Sequence, residues 1–174
     1  PYSIALALTD KLDTLVGFFG INQKPTSSKD PYALRRCALG VVKLIVDNNT
    51  KFKVKDLINY SISLHIEQGF KLSNENLQKE LTNFLLERFK YYLKEKKIRL
   101  DIVESSINSH GVDQLSKILK KASTLNKVIN NQIGEDLVAC YRRADNILNS
   151  ELKNGDFKLS NTTDPGIFKN DFEK

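Results

Sequence analysis

Hydrophobic positions recur every three to four residues along most of the chain, and this is the period of an amphipathic helix. The first such stretch spans about residues 2–19, and its apolar positions are Ile4, Leu8, Leu12, Leu15 and Phe19. We expect Gly20 to end this helix in the left-handed conformation. There is no convincing alternation of period two, no heptad array and no internal repeat. The pattern therefore predicts an all-α fold, an irregular bundle of about six or seven helices.

Local signals place the second helix at about residues 30–47. Asp30 can cap its first turn, and Pro31 suits the first helical position because it lacks an N–H group. Its buried stripe is expected to be Leu34, Ala38, Val41, Val42 and Ile45.

Five further helices follow from the same period. They are expected at residues 54–66, 73–95, 101–108, 112–129 and 134–149. The fourth helix is expected to bury Leu77, Leu81, Phe84, Leu85, Phe89 and Tyr92. The inward-facing residues of the last helix are expected to be Leu137, Cys140, Tyr141, Ala144 and Leu148. Residues 151–174 are rich in turn formers and are expected to form a loop or frayed tail.

Composition is that of a soluble globular protein, with 40% hydrophobic and 28% charged residues among 174. No apolar run approaches a membrane span, no signal peptide is recognisable, and the absence of Met suggests a piece of a longer chain. Cys37 and Cys140 are expected to be core thiols in a reducing, cytoplasmic compartment. His65 and His110 lie too far apart in sequence to suggest a structural zinc site. No phosphate-binding loop or nucleophile motif appears, so the chain does not resemble a complete enzyme.

The net charge of +6 is unevenly distributed. Residues 24–53 contain seven basic side chains against two acidic ones, and residues 87–99 contain six against two. Clustered positive charge indicates a polyanion partner, usually nucleic acid. For residues 94–99 a solvated helix face is the preferred interpretation.

Helical angles suggest a structural ion pair between the first two helices. Asp10 and Asp13 lie about 60° apart on the first helix, away from its apolar stripe. Arg35 falls inside the apolar arc of the second helix, where an unpaired guanidinium would be costly. We therefore expect Arg35 to be mostly buried and paired with Asp10 or Asp13.

Other basic residues are expected to face solvent and to be candidates for binding nucleic acid. Arg36 and Lys43 flank Gly40 on the second helix, and the bare glycine would admit a phosphate backbone or another helix. On the last helix Arg142, Arg143 and Asn146 share a polar face, and these side chains suit phosphate or base edges.

The segment from Leu8 to Leu15, Leu-Thr-Asp-Lys-Leu-Asp-Thr-Leu, resembles the last motif of the HD phosphohydrolase superfamily. In that motif a late Asp completes a metal site, and Asp10 matches it. The upstream His and HD ligands are absent from this chain, and one carboxylate does not hold a metal. We therefore predict no metal at Asp10.

A second resemblance covers about residues 5–148. The run Ala-Leu-Ala-Leu-Thr-Asp-Lys-Leu-Asp-Thr-Leu-Val-Gly-Phe-Phe-Gly-Ile and the later Asp-Pro-Tyr-Ala-Leu-Arg-Arg-Cys-Ala-Leu-Gly are similar to the β subunits of bacterial heterotetrameric glycyl-tRNA synthetases. Leu-Leu-Glu-Arg-Phe-Lys-Tyr-Tyr-Leu and Arg-Arg-Ala-Asp-Asn-Ile-Leu follow in the same order. Asn22 and Ser27 stand where the family suggests Gly, and Thr9 where it suggests Ala.

The resemblance implies an enzyme that joins glycine to tRNA(Gly) with ATP. It implies that ATP and Mg act in a separate α subunit within an α2β2 tetramer, and that this piece contains no catalytic residue or cofactor. Residues 1–22 would form the last helix of an HD-like domain, either separate from the rest of the chain or packed with it. Residues 30–150 would form a helical tRNA-binding region similar to the anticodon-binding domain of arginyl-tRNA synthetase. The candidate tRNA-binding residues are the outward-facing Arg36, Lys43, Arg142, Arg143 and Asn146 described above, and this choice rests on helical angles and not on the resemblance.

Two other functions remain open. The chain could be a helical adaptor that docks the α subunit, or a remnant of an HD-type metal phosphohydrolase. Salt dependence would distinguish RNA binding from the adaptor. Binding to tRNA should weaken steeply with salt because it depends on phosphate contacts, whereas binding to the α subunit should tolerate salt.

Overall fold

A computed structural model describes residues 2–108 and 113–153, and within these ranges the chain is helical with no strand. The helices are α1 (Tyr2–Gly20), α2 (Leu34–Asp47), α3 (Val54–Glu67), α4 (Leu77–Glu95), α5 (Leu100–Asn108), α6 (Leu115–Ile129) and α7 (Gln132–Lys153). The predicted all-α fold is confirmed. No helix of the described ranges has both the length and the apolar character needed to cross a membrane.

The chain divides into two compact units, Pro1–Val128 and Ile129–Lys174. In the first unit α1 packs on α2, α3 and α4, so it shares their core. The domain assignment that the resemblance implies, with boundaries after residue 22 and after residue 150, stays a prediction. Of the expected tail, residues 151–153 continue α7, and residues 154–174 lie outside the described part.

The core of the first unit forms where α1, α2 and α4 meet. Leu15, Ile45, Leu85 and Phe89 are essentially inaccessible to solvent, as the helical period predicts. Removing one such side chain from water contributes roughly 1.5–3 kcal/mol. The expected stripes of the first, second and fourth helices are buried, except that Ile4 and Phe84 remain partly accessible.

The end of α1 differs from the expectation. Gly20 is buried and is the last helical residue, and it is Asn22 that takes a left-handed backbone, with φ of 61°. A Cβ on Gly20 would lie 2.5 Å from Cδ2 of Leu72. The absence of a side chain on Gly20 therefore leaves room for the side chain of Leu72. Asn tolerates the left-handed region better than most residues, which explains how it replaces the Gly expected at position 22.

The start of α2 lies four residues later than predicted. Ala33 has a left-handed backbone, with φ of 53°, and separates Asp30 from the helix. Tyr32 stacks on Phe18 of α1, with ring centroids 4.1 Å apart, and this contact holds residues 31–33 in a turn. Asp30 still caps the helix, because its carboxylate accepts the N–H groups of Leu34 and Arg35 at 2.8 and 3.0 Å.

The prediction that one face of α7 is buried is wrong. Leu137 and Tyr141 are 66% and 70% exposed, and Cys140 is exposed as well. Leu148 is partly accessible. Within the described residues of the second unit, α7 is the single helix. Leu137, Tyr141 and Leu148 therefore have no other described helix of that unit to pack against.

Candidate nucleic-acid interface

The outer face of α2 carries two cations, as the helical angles predicted. Arg36 and Lys43 are exposed, whereas Val42 and Ile45 on the other side are fully buried. Neither cation has an acidic side chain within ion-pair distance among the described residues. Both charges are therefore free to meet an anion from outside.

Gly40, between these cations, lies under a side chain of α1. A Cβ on Gly40 would be 2.8 Å from Cε of Lys11. From the sequence, either another helix or a phosphate backbone could approach Gly40. In the structure it is the side chain of Lys11, on helix α1, that lies against this glycine. Lys11 thereby joins the basic surface of α2, which the sequence analysis did not foresee. Its ammonium group is 3.9 Å from the Asp10 carboxylate, which is 74% exposed, so this is a weak surface pair.

The expected pairing of Arg35 with Asp10 or Asp13 is wrong. One guanidinium nitrogen lies 4.0 Å from Asp30, and another donates to the backbone carbonyl of Thr26. The side chain is 32% exposed, so it is not mostly buried either. The physical reason is the late start of α2, which brings Arg35 directly after the capping carboxylate. Replacing Arg35 with Ala should therefore cost about 1 kcal/mol or less, not the 3–5 kcal/mol of a buried pair.

Asp13 instead faces His65 of α3. Its Oδ1 lies 3.4 Å from Nε2 of His65, and Nδ1 of this buried imidazole lies 2.9 Å from the carbonyl of Ser61. A carbonyl oxygen can only accept a hydrogen bond, so Nδ1 carries the proton of this contact. When Nε2 carries a proton as well, the ring is charged and forms an ion pair with Asp13. The two residues are far apart in sequence, and no spacing rule could have joined them.

The Asp13–His65 pair lies along an apolar groove between α1 and α3. The groove has a volume of about 280 Å³ and is lined mainly by apolar residues, including Leu8, Leu12 and Phe52. Among the described residues, no three His, Cys, Asp or Glu side chains are grouped so that they could hold a metal ion. The structure therefore adds no ligands to Asp10 within these ranges.

The last three predicted RNA-binding residues lie on α7. Arg142, Arg143 and Asn146 are all exposed, and the two arginines have no carboxylate within ion-pair distance among the described residues. They belong to the second unit, whereas Arg36 and Lys43 belong to the first. The predicted set is thus divided between the two units.

The basic character of α6 was not among the features predicted from the sequence. This helix contains Lys117, Lys120, Lys121 and Lys127 and no acidic residue. The signal was present in the sequence, because no Asp or Glu occurs from residue 114 to residue 134. It was missed because the four lysines are spread over the helix and do not form a run.

The two cysteines differ in their surroundings. Cys37 is partly buried, and its thiol donates to the carbonyl of Lys11 at 3.3 Å. Burial is the main reason that the pKa of Cys37 is raised, which makes it a poor nucleophile. Cys140 is exposed, so the prediction of two core thiols is wrong for this residue.

Comparison with known proteins assigns the chain to a family. The family model described as glycyl-tRNA synthetase beta subunit matches residues 1–108. A protein of Cereibacter sphaeroides named glycine–tRNA ligase beta subunit is 37% identical over 175 residues, covering all of this chain and 25% of that protein. A protein of the same name from Rhodospirillum centenum is 40% identical over 154 residues, covering 88% of this chain and 21% of that protein.

These relatives are much longer than the sequence described here. The chain spans about a quarter of the length of the curated relatives it matches. The alignment with the Cereibacter sphaeroides relative nevertheless includes every helix of the described residues, from α1 to α7. With a family model that covers more than half of its residues, the chain belongs to the family of glycyl-tRNA synthetase β subunits.

Proposed function

We propose that this chain helps to bind and position tRNA(Gly) while a separate α subunit attaches glycine with ATP. The observation that carries the proposal is the outer face of α2, where Arg36 and Lys43 project into solvent without acidic partners among the described residues. The names of the relatives, glycine–tRNA ligase beta subunit, supply the reaction and the RNA. On this proposal the chain holds RNA and takes no part in the chemical step.

Phosphate groups are the expected targets of this surface. The major groove of an A-form helix is too deep and narrow for side chains to read, whereas its phosphates are accessible. The planar guanidinium of Arg36 can bind a phosphate through two N–H groups, and Lys43 supplies a compact charge. Lys11 adds a third cation across Gly40. Such a surface provides affinity and position, and it provides little base specificity.

The surface of α7 is the second part of the proposal. Arg142, Arg143 and Asn146 offer two guanidinium groups and an amide on one helix, and all three are exposed. We propose that they bind RNA in the same way, through phosphates or through unpaired bases.

The test compares charge reversals on the full α and β assembly. Arg36→Glu with Lys43→Glu should weaken tRNA(Gly) binding and reduce the salt slope of the binding constant by a little under one unit per lost phosphate contact. Aminoacylation should then require more tRNA, while glycyl-adenylate formation stays unchanged. The control is Lys71→Glu with Lys79→Glu, which makes the same charge change at two exposed lysines of the first unit.

Equal effects of the two double variants would mean that total charge, and not the surface of α2, governs RNA binding. The same comparison with Arg142→Glu and Arg143→Glu tests α7 separately. If the double variant of α2 charges tRNA normally at low tRNA concentration, the proposal for that surface is wrong.

A specific observation favours a second function, docking of the α subunit. Ile133, Leu137 and Tyr141 form an exposed apolar row on α7, at 74%, 66% and 70% exposure. Rows of this kind are typical of helices that bind another protein. Binding of α that survives high salt and is lost on Leu137→Asp would support this adaptor role.

A further inference from the structure

A basic cleft lies in the first unit, between the loop that joins α2 to α3 and the first turns of α6. Its volume is about 270 Å³, and its lining includes Lys51, Lys117 and Lys120. The remaining lining residues are neutral, with Asn49 and Gln114 offering amide groups. Within the described part of the chain, no acidic residue lines this cleft. None of its residues was among those predicted to bind RNA.

Hydrogen bonds fix the two walls of the cleft relative to each other. The hydroxyl of Ser116, on α6, lies 3.0 Å from the carbonyl of Thr50 and 3.2 Å from that of Ile45. The N–H of Val54 donates to the carbonyl of Asp113 at 2.9 Å. The backbone that carries Lys51 is thus tied to the backbone that carries Lys117. The backbone walls of the cleft are therefore in place before a ligand binds.

The charges in the cleft lack neutralisation from within the described protein. Lys51, Lys117 and Lys120 have no carboxylate within ion-pair distance among the described residues. Asp113, the acidic residue next to this segment, pairs with Lys55 at 3.5 Å. Three lysines line one small volume that has no acidic lining residue among the described ones, and this excess of positive charge favours an anion there.

An exposed aromatic residue directly follows one of the lysines of the cleft. Phe52 is 50% exposed and lies between Lys51 and Lys53 in the non-helical segment that precedes α3. Lys51 lines the basic cleft, whereas Phe52 lines the neighbouring apolar groove between α1 and α3. A cation and an exposed aromatic side chain thus follow each other along the backbone.

We propose that this surface binds a single-stranded portion of an RNA, with a backbone phosphate in the cleft of Lys51, Lys117 and Lys120 and a neighbouring base on Phe52. Stacking of unpaired bases on aromatic side chains, together with lysine contacts to phosphate, is the common mode of single-strand recognition. An acidic peptide would use the lysines and leave the aromatic ring without a role. The inference rests on the proposed function, since it assumes that the ligand is RNA, but it uses different residues.

The experiment measures binding of a tRNA(Gly) transcript and of a short single-stranded oligoribonucleotide to the chain as a function of salt. Lys117→Glu with Lys120→Glu should weaken both complexes and reduce the salt slope by somewhat less than two units. Phe52→Ala should weaken binding of the oligoribonucleotide by about fivefold or more, with an unchanged salt slope.

Matched controls separate these effects from general changes in charge or exposed area. Lys71→Glu with Lys79→Glu repeats the double charge reversal elsewhere on the first unit. Tyr91→Ala removes an aromatic ring of the same exposure, 49%, from α4. Both controls should bind RNA more tightly than the corresponding cleft variants, and all four proteins should melt close to the parent temperature.

The possible outcomes separate this inference from the proposed function. If the cleft variants bind like their controls while Arg36→Glu with Lys43→Glu loses tRNA, the inference is wrong and the proposed function stands. If the parent chain and the full assembly bind no RNA, both are wrong. If Lys117→Glu with Lys120→Glu abolishes binding of polyglutamate but not of RNA, the cleft binds an acidic protein segment and the inference is overturned.

Discussion

At the scale of single residues, the carboxylate of Asp30 decides how α2 begins. One oxygen accepts the N–H of Leu34, and the other accepts the N–H of Arg35 and faces its guanidinium. Capping of this kind satisfies donors that otherwise lack partners in the first helical turn. The same contact draws Arg35 toward Asp30 and away from the carboxylates of α1. A single acidic side chain therefore caps α2 and contacts the guanidinium of Arg35, while the stacking of Tyr32 on Phe18 determines where the helix begins.

Ala33, three residues later, is held in a conformation that favours glycine, and this gives the first prediction. Its φ is 53°, a region that costs an L-residue with a Cβ roughly 1 kcal/mol. Ala33→Gly should therefore raise the free energy of unfolding, by about 0.5–1 kcal/mol after the greater freedom of glycine in the unfolded chain is subtracted. Urea denaturation at neutral pH measures the change.

Ala7 provides the control, because it lies inside α1 and is only partly buried. Ala7→Gly should lower the free energy of unfolding by roughly 1 kcal/mol, the usual cost of glycine within a helix. The two substitutions remove the same methyl group, so opposite signs would reflect the different backbone conformations of the two positions. A loss of stability in Ala33→Gly would contradict the left-handed start of α2.

At the scale of helices, a hydrogen bond joins the end of α2 to the end of α4. The hydroxyl of Tyr92 donates to Oδ1 of Asp47 at 2.7 Å. Burial, and then this contact with Asp47, raises the pKa of Tyr92 from 10.0 to about 12. Between these values the folded state holds a proton that the unfolded state releases. The stabilisation is therefore complete below pH 10 and is lost as the pH rises toward 12.

Tyr92→Phe tests this linkage. Near pH 7 the variant should be less stable by about 0.5–1.5 kcal/mol, because the hydrogen bond is missing. The difference from the parent should shrink between pH 10 and pH 12, since only the parent loses this contribution there. Urea titrations of both proteins at matched pH values measure it, and a difference that stays constant over this range would show that Tyr92 does not titrate as described.

The helices themselves could largely be predicted from the sequence, whereas their contacts could not. The period of apolar residues placed Leu15 and Leu85 in the core correctly, because burial follows the helical face. It could not give the start of α2, where stacking of Tyr32 on Phe18 overrides the Asp-Pro signal. It also could not pair Asp13 with His65, since that contact depends on how α1 meets α3. Lys11 was missed for the same reason.

At the scale of the whole molecule, cations without acidic partners among the described residues occur in both units. Arg36 and Lys43 lie on α2 and Lys117 and Lys120 lie on α6 of the first unit, and Arg142 lies on α7 of the second. On the proposed function, further contacts of one RNA with the first unit act as intramolecular steps once the first contact has formed. The net charge of +6 would speed such an encounter at low salt.

The final prediction concerns burial in the two units. Leu85 on α4 is 1% exposed, whereas Leu137 on α7 is 66% exposed, although both were expected to face inward. Leu85→Ala should lower the free energy of unfolding by about 2–5 kcal/mol, because it removes buried surface and leaves a cavity. Leu137→Ala should change it by about 0.5 kcal/mol or less. Thermal melts followed by circular dichroism compare the two variants under identical conditions. A large loss in Leu137→Ala would mean that the apolar row of α7 is buried in solution, and this would remove the observation that favours docking of the α subunit.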